Sequence, residues 1–392
     1  MNKQTNTPEL RFPEFDEEWE KRKLGEVVNY KYGGSFESLV KNHGVYKLIT
    51  LKSVNTEGKL CNSGKYIDDK CVETLCNDTL VMILSEQAPG LVGMTAIIPN
   101  NNEYVLNQRV AALVPKQFID SQFLSKLINR NQKYFSVRSA GTKVKNISKG
   151  HVENFNFLSP DYTEQQKIGN FFSKLDRQIE LEEKKLELFE QQKKGYMQKI
   201  FSQQLRFKDE NGNDYPKWEN KLLGNLVNIT MGQSPSSKNY TEDSNYTILV
   251  QGNADLNNGY IKPRIYTKQV TKLAEVNDIL LTVRAPVGKI GRAQLKACIG
   301  RGVCAIKGDS FIYYFLELFD LQNKWIRFSQ GSTFESISGN EIKNIDIAYP
   351  INEERQKISE FLSKLDELLK NQLLKVEQLK QRKHGLLQNM FV

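Results

Sequence analysis

The chain has 392 residues, with 55 Lys+Arg against 46 Asp+Glu, a net charge of +9. Hydrophobic residues at 39% and charged residues at 26% describe a globular protein of two to three domains and exclude a disordered one. No apolar run nears the roughly 20 residues that span a bilayer. The opening residues lack the apolar core of a signal peptide, which leads us to expect a cytoplasmic protein without a membrane partner. Five cysteines without a CxxC pair and three scattered histidines argue against zinc sites and disulfide frameworks.

In chain order, Leu10-Arg-Phe12, Trp19 and Leu24-Gly25 open a first domain, residues 1–160. Short β-branched or apolar segments such as 105–114 predict strands, and the amphipathic stretch 121–134 predicts one helix. Residues 161–204 predict a first long helix, with Ile168, Phe172, Leu175, Ile179, Leu186, Phe189, Tyr196 and Ile200 on one seam. A second domain, residues 205–350, opens with Leu205-Arg-Phe207, Trp218 and Leu223-Gly224. It carries a strand over 278–284 and a helix over 311–328. Residues 351–392 predict a second long helix, whose seam holds Ile358, Leu362, Leu365, Leu369, Val376, Leu379, Leu386 and Met390.

The two halves repeat each other. Glu164-Gln-Gln-Lys-Ile168 through Leu175-Asp176 returns as Glu354-Arg-Gln-Lys-Ile358 through Leu365-Asp366, an offset of 190 that holds from Gly141/Gly331 to Phe201/Phe391. The middles, between Gly25 and Gly141 and between Gly224 and Gly331, share little sequence. The fold expected is therefore α+β, a tandem duplication of two mainly antiparallel α+β domains separated by two long coiled-coil helices. Both helical seams skip the same two layers, filled by Glu182 and Lys193 in the first and Gln372 and Lys383 in the second. An antiparallel pair can set Glu182 opposite Lys383 and Gln372 opposite Lys193, whereas a matched parallel pair stacks Lys193 on Lys383. This favours the antiparallel arrangement. The seam from 168 to 200 is about 50 Å long at roughly 1.5 Å per residue.

Charge gathers in the middles. Residues 257–307 carry ten basic side chains against Glu275 and Asp278, and residues 103–149 carry nine against Glu103 and Asp120. Two basic segments suggest two nucleic-acid contact surfaces. Catalytic patterns are missing: no GxxxxGK[ST], no Ser/His/Asp set, and no glycine-rich turn for S-adenosylmethionine. Asp161 with Glu182 and Lys184 superficially resembles a nuclease metal site, but the latter two fall in a heptad helix. The chain is read as non-catalytic, with no catalytic and no metal-ligating residues.

Two variable domains alternating with two near-identical helices resemble the specificity subunit of Type I restriction–modification systems. The resemblance rests on the two helix openings, on Asp278-Ile-Leu-Leu-Thr-Val-Arg284 with Cys298-Ile-Gly-Arg-Gly302, and on Leu106-Asn-Gln-Arg-Val110. It implies two target recognition domains, each reading half of a split site in double-stranded DNA through the major groove. It also implies helices that dock two modification subunits and, optionally, two restriction subunits. Those partners carry the S-adenosylmethionine, ATP and Mg; this chain binds no cofactor. The alternatives are a freestanding bipartite DNA-binding regulator, or an enzyme with an unrecognised nuclease site.

The candidate DNA contacts are Asn107, Gln108 and Arg109, whose types can bond adenine and guanine edges, together with Lys143, Lys145, Arg284, Lys289, Arg292 and Arg301. The four last arginines and lysines are read first as phosphate contacts, since most protein–DNA hydrogen bonds go to the backbone. Cys298 and Cys304 are read as buried apolar fillers.

Overall fold

Each half is built around one strand that is buried along its whole length. Leu80–Ile83 and Ile279–Thr282 are buried at every position, because both faces of each strand are covered. Alternate residues serve different cores. Leu80 and Met82 join a core with the helical layer, while Val81 and Ile83 join a second core against the neighbouring sheet. In the other half Ile279 and Leu281 face the first kind of core and Leu280 the second.

The computed structural model describes residues 6–68, 72–86, 90–141, 144–329 and 336–392. The chain divides into two units, residues 1–183 with 374–392, and residues 184–373. The long helices, Tyr162–Phe201 and Asn352–Asn389, thus do not stand apart as domains; each is shared between both units.

In the first unit an antiparallel sheet runs in the order Val28–Tyr32, Val110–Pro115, Leu80–Ile83, Thr95–Ile97. Beside it lie Tyr66–Ile67, Tyr46–Ile49 and Tyr104–Leu106, the last two parallel. The second unit repeats this plan. Asn228–Met231, Val303–Lys307, Ile279–Thr282 and Ile290–Arg292 follow in the same order, and Thr247–Val250 runs parallel to Ala297–Ile299. Middles with unlike sequences share one framework.

Three local expectations are corrected. The apolar segment 105–114 is two strands in different sheets, because a turn interrupts it at 107–109 and Arg109 takes φ +64°. The stretch 121–134 breaks at Asn131, whose Nδ2 donates to Leu127 O at 2.8 Å, leaving helices Ser121–Arg130 and Gln132–Arg138. The stretch 311–328 likewise divides into Ser310–Leu321 and Ile326–Ser329, with Asn323 at φ +54° between them.

The long helices run antiparallel within each unit. In the first, Asp176 meets Lys383 while Glu182 meets Lys375; in the second, Lys193 meets Asp366 while Tyr196 packs on Phe361. Rising numbers on one helix face falling numbers on the other.

The expected register is wrong by six residues. Lys193 pairs with Asp366, six positions before Gln372, and Lys383 pairs with Asp176, six before Glu182. The skipped layers alone do not set the register. The aspartates that close each Ser-Lys-Leu-Asp run meet the lysines as full charges, which an amide such as Gln372 cannot do. These Nζ–Oδ1 distances are 2.6 Å for Lys193–Asp366 and 2.5 Å for Lys383–Asp176.

Each unit also anchors the far end of a long helix in its core. Phe391 stacks on Phe123 at 5.3 Å and stands edge-on to Trp19 in the first unit. In the second, Phe201 lies 5.0 Å from Phe311, beside Trp218. Phe201 and Phe391 are partners in the 190-residue repeat, so each unit is anchored by the matching aromatic.

Candidate nucleic-acid interface

Four matched backbone hydrogen bonds align the two recognition domains position by position. Asn107 N donates to Ile49 O at 3.0 Å, and Gly300 N to Val250 O at 2.8 Å. Leu84 N donates to Arg109 O at 3.0 Å, and Val283 N to Gly302 O at 2.9 Å. Gly34 N reaches Leu106 O as Gln233 N reaches Ile299 O, and Ile147 N reaches Leu84 O as Ile337 N reaches Val283 O. Gln108 therefore corresponds to Arg301, Arg109 to Gly302, and Ser85 to Arg284.

The cradle holding this turn needs glycine at one matched place. A Cβ on Gly33 would lie 1.9 Å from Asn107 O, and one on Gly232 would lie 2.1 Å from Gly300 O. No side chain fits there. The Gly33/Gly232 equivalence was the missed signal.

The structure sorts the candidates. Asn107 is 7% exposed and its Oδ1 accepts from Phe36 N at 3.3 Å, so this side chain holds the turn from inside rather than facing a ligand. Gln108 is exposed and its Nε2 donates to Glu37 Oε1. The Ser35 hydroxyl, with Gln108 adding to it, holds the Glu37 carboxyl below the usual carboxylate range. Arg109 is exposed. Lys145 is exposed on a short strand pairing with Ser85–Glu86, and Lys143 lies outside the described residues.

In the second domain, Lys289 Nζ is bonded to Asp320 at 3.0 Å. Arg292 donates to Ser310 Oγ at 2.9 Å and lies 4.4 Å over the Tyr313 ring. Both are committed to the helix Ser310–Leu321. Arg284 and Arg301 differ: both are exposed and line one cleft of about 440 Å³ with Ser234, Tyr240 and Gln251. Among the described residues neither guanidinium meets a carboxylate.

The predicted coiled-coil residues are structural. Glu182 bonds Lys375, Lys193 bonds Glu317 and Asp366, and Lys383 bonds Asp176. Gln372 is 6% exposed. Asp161 is a helix cap whose Oδ1 accepts from Thr163 N at 2.7 Å and Glu164 N at 3.0 Å, which removes it from any metal site with Glu182. Among the described residues no cluster of His, Cys, Asp and Glu could hold a metal ion, and no helix is long and apolar enough to cross a membrane. Cys298 and Cys304 are buried and free.

One constellation joins the repeated motifs and was not foreseen. Arg11 of Leu-Arg-Phe grips Glu164 at the start of the first long helix, with Nε and Nη2 donating at 2.8 and 2.7 Å. Arg206 grips Glu354 in the same bidentate way at 3.1 and 2.6 Å. Both glutamates are fully buried. The equal recurrence of Leu-Arg-Phe and Glu-x-Gln-Lys-Ile was the available signal.

Comparison with known proteins agrees with this geometry. A family profile described as the Type I restriction modification DNA specificity domain matches residues 16–191 and 215–378. The chain is 26% identical over 412 residues to a putative type I restriction enzyme MjaX specificity subunit from Methanocaldococcus jannaschii, covering 98% of this chain and 95% of that one. The MjaVIII specificity subunit of the same organism is 21% identical, over 98% of this chain and 95% of that one. The crystal structure of a Type I restriction–modification S subunit from M. genitalium shares the fold at TM-score 0.65 and 19% identity, covering 98% and 99% of the two chains. A chain from a study of type I restriction–modification complex assembly and conformational transition does so at TM-score 0.60 and 21% identity, covering 94% and 96%.

Proposed function

From the premise that this chain belongs to the Type I restriction–modification DNA specificity family, we propose that its two recognition domains each read one half of a split DNA site. It is the non-catalytic specificity subunit of its complex. The observation that carries the split-site reading is the shared cradle: one backbone framework holds different side chains at the same turn, Gln108 in one domain and Arg301 in the other.

The two repeated long helices dock two modification subunits and, where present, two restriction subunits. Exposed leucines on these helices, Leu181, Leu188, Leu368 and Leu374, offer apolar footholds. S-adenosylmethionine, ATP and Mg belong to those partners, in keeping with a sequence that lacks a phosphate-cradling glycine loop. DNA affinity falls steeply with salt as basic side chains release counterions from phosphates.

Co-expression with a modification subunit, followed by mapping of methylated adenines, tests the reading. A split motif is expected, and exchanging residues 20–160 for the matching domain of a relative should change one half-site alone. An unbroken motif, or both halves changing together, would overturn it.

A further inference from the structure

We infer that Arg284 is a specificity-determining residue that reads a guanine in the second half-site, whereas Gln108 with Glu37 reads an exocyclic amino group in the first. The inference rests on the split-site reading above and adds the base class read beside the shared turn in each domain.

Each turn carries one exposed arginine, Arg109 in the first domain and Arg301 in the second. One cation per turn is what a phosphate requires, and phosphates are the same at every site. The domains differ in what stands beside that cation. In the second domain it is Arg284, exposed in the same cleft and without a carboxylate among the described residues. At the equivalent place the first domain has Ser85, which is 2% exposed with its hydroxyl donating to Asn146 Oδ1, so it is closed to a ligand. The first domain instead offers Gln108 joined to Glu37, whose carboxyl is kept charged by Ser35 at 2.9 Å.

The second cleft therefore presents donors alone, while the turn of the first domain adds a carboxylate and a carboxamide oxygen beside Arg109. In the major groove guanine shows two acceptors, N7 and O6, and an arginine fork bonds both. Adenine N6 and cytosine N4 are amino donors, which carboxylate and carboxamide oxygens accept. Side chains that differ within an otherwise shared cradle are suited to carry what differs between the half-sites, which is sequence.

The test maps modified sites for the intact complex of this chain with its modification subunits, using wild type, Arg284→Ser and Arg284→Lys. Arg284 is exposed and its guanidinium meets no carboxylate among the described residues, so equal melting temperatures are expected for all three. Both variants should relax the second half-site at one guanine position by about 10- to 100-fold, the value of one bidentate base contact. The first half-site should not change. Lysine keeps the charge but not the fork, so a uniform loss over all sites that Arg284→Lys restores would make Arg284 a phosphate contact and overturn the inference. A second half-site without guanine, or one unchanged by either variant, would overturn it as well. A wild-type complex with no split motif would refute the underlying reading first, and that outcome is distinct from the others.

Discussion

The two units hold the same helix-to-helix ion pair but surround it with opposite charge. In the first unit Asp176 takes Lys383 from the other long helix and Lys126 from the recognition domain, giving two cations and one anion. In the second, Lys193 takes Asp366 from the other helix and Glu317 from the recognition domain, giving two anions and one cation. Asp176 and Asp366 are repeat partners, as are Lys193 and Lys383. The Asp–Lys pair belongs to the duplicated scaffold; the third charge belongs to the variable domain. A pair that carries both signs can accept either an acid or a base, which suits a scaffold meant to carry exchangeable readers.

The contrast is broken most severely upstream of these clusters, at the buried Arg–Glu clamps. Removing one partner of a buried pair costs about 3–5 kcal/mol, since the other charge is left without compensation. Glu354 also accepts from Trp218 Nε1 at 2.9 Å, whereas Trp19 Nε1 meets no acceptor among the described residues. Glu354→Ala should therefore destabilise the second unit more than Glu164→Ala does the first. Hydrogen exchange resolved by unit would show it; equal losses would mean that the indole bond contributes nothing.

Within the clusters, Lys193→Ala leaves Glu317 and Asp366 facing each other without their cation, and we expect a loss of about 3 kcal/mol, the low end for a broken buried pair. Lys383→Ala leaves Asp176 still bonded to Lys126, so its cost should be about 1 kcal/mol, as for a partly exposed pair. Thermal melting of the two variants checks the ratio. If Lys383→Ala proved the more damaging, the sign of the third charge would not govern the clusters.

Acid should separate the units too. Burial raises the Glu317 carboxyl above its ordinary 4.5, although Lys193 opposes the shift. The folded state then binds this proton before the unfolded state does. Its contribution to stability grows as pH falls from that raised value towards 4.5. Asp176 is held below 3.8, because Lys126 and Lys383 outweigh its burial. Its contribution is present above 3.8 and is lost only as pH falls through its lowered value. Glu317→Gln should flatten the stability profile above pH 4.5, and an unchanged slope would show that Glu317 does not titrate in that window.

Much of this architecture was readable because the duplicated parts are constrained residue by residue. The helix seam, the Ser-Lys-Leu-Asp runs and Leu-Arg-Phe recur because each holds a specific partner. The likeness of the middles was not readable. Strands such as Leu80–Ile83 and Ile279–Thr282 need only apolar side chains on both faces, a demand many sequences meet without sharing identities. The turn at 107–109 was hidden by apolar neighbours on both sides, and its marker, Gly33, lies over 70 residues away. The register failed because Asp176 and Asp366 lie outside the skipped layers, and the third charge of each cluster was hidden as well. Glu317 and Lys126 come from sequence-distant helices, and no periodicity within the long helices announces them. Of the candidate contacts, charge alone could not separate Arg284 and Arg301, which meet no carboxylate among the described residues, from Lys289 and Arg292, which are spent within the fold.

The smallest expected effect is the sharpest test of the comparison. Lys126 lies on the helix Ser121–Arg130, and Glu317 on the corresponding helix Ser310–Leu321. Burial lowers the Lys126 ammonium pKa although Asp176 opposes this, and the nearby Lys383 lowers it further. Lys126→Glu would trade that crowded cation for a carboxylate able to turn to Lys383, as Glu317 turns to Lys193, converting the first cluster into a copy of the second. The change should cost under about 1 kcal/mol, because one salt bridge replaces another. Adding Lys383→Ala should then cost far more than the two changes do singly, since two carboxylates would be left without a cation, and non-additivity is the signature of groups in contact. A double-variant cycle read by chemical denaturation measures that coupling. Additive losses would show that the charge from the recognition domain does not engage the helix pair at all.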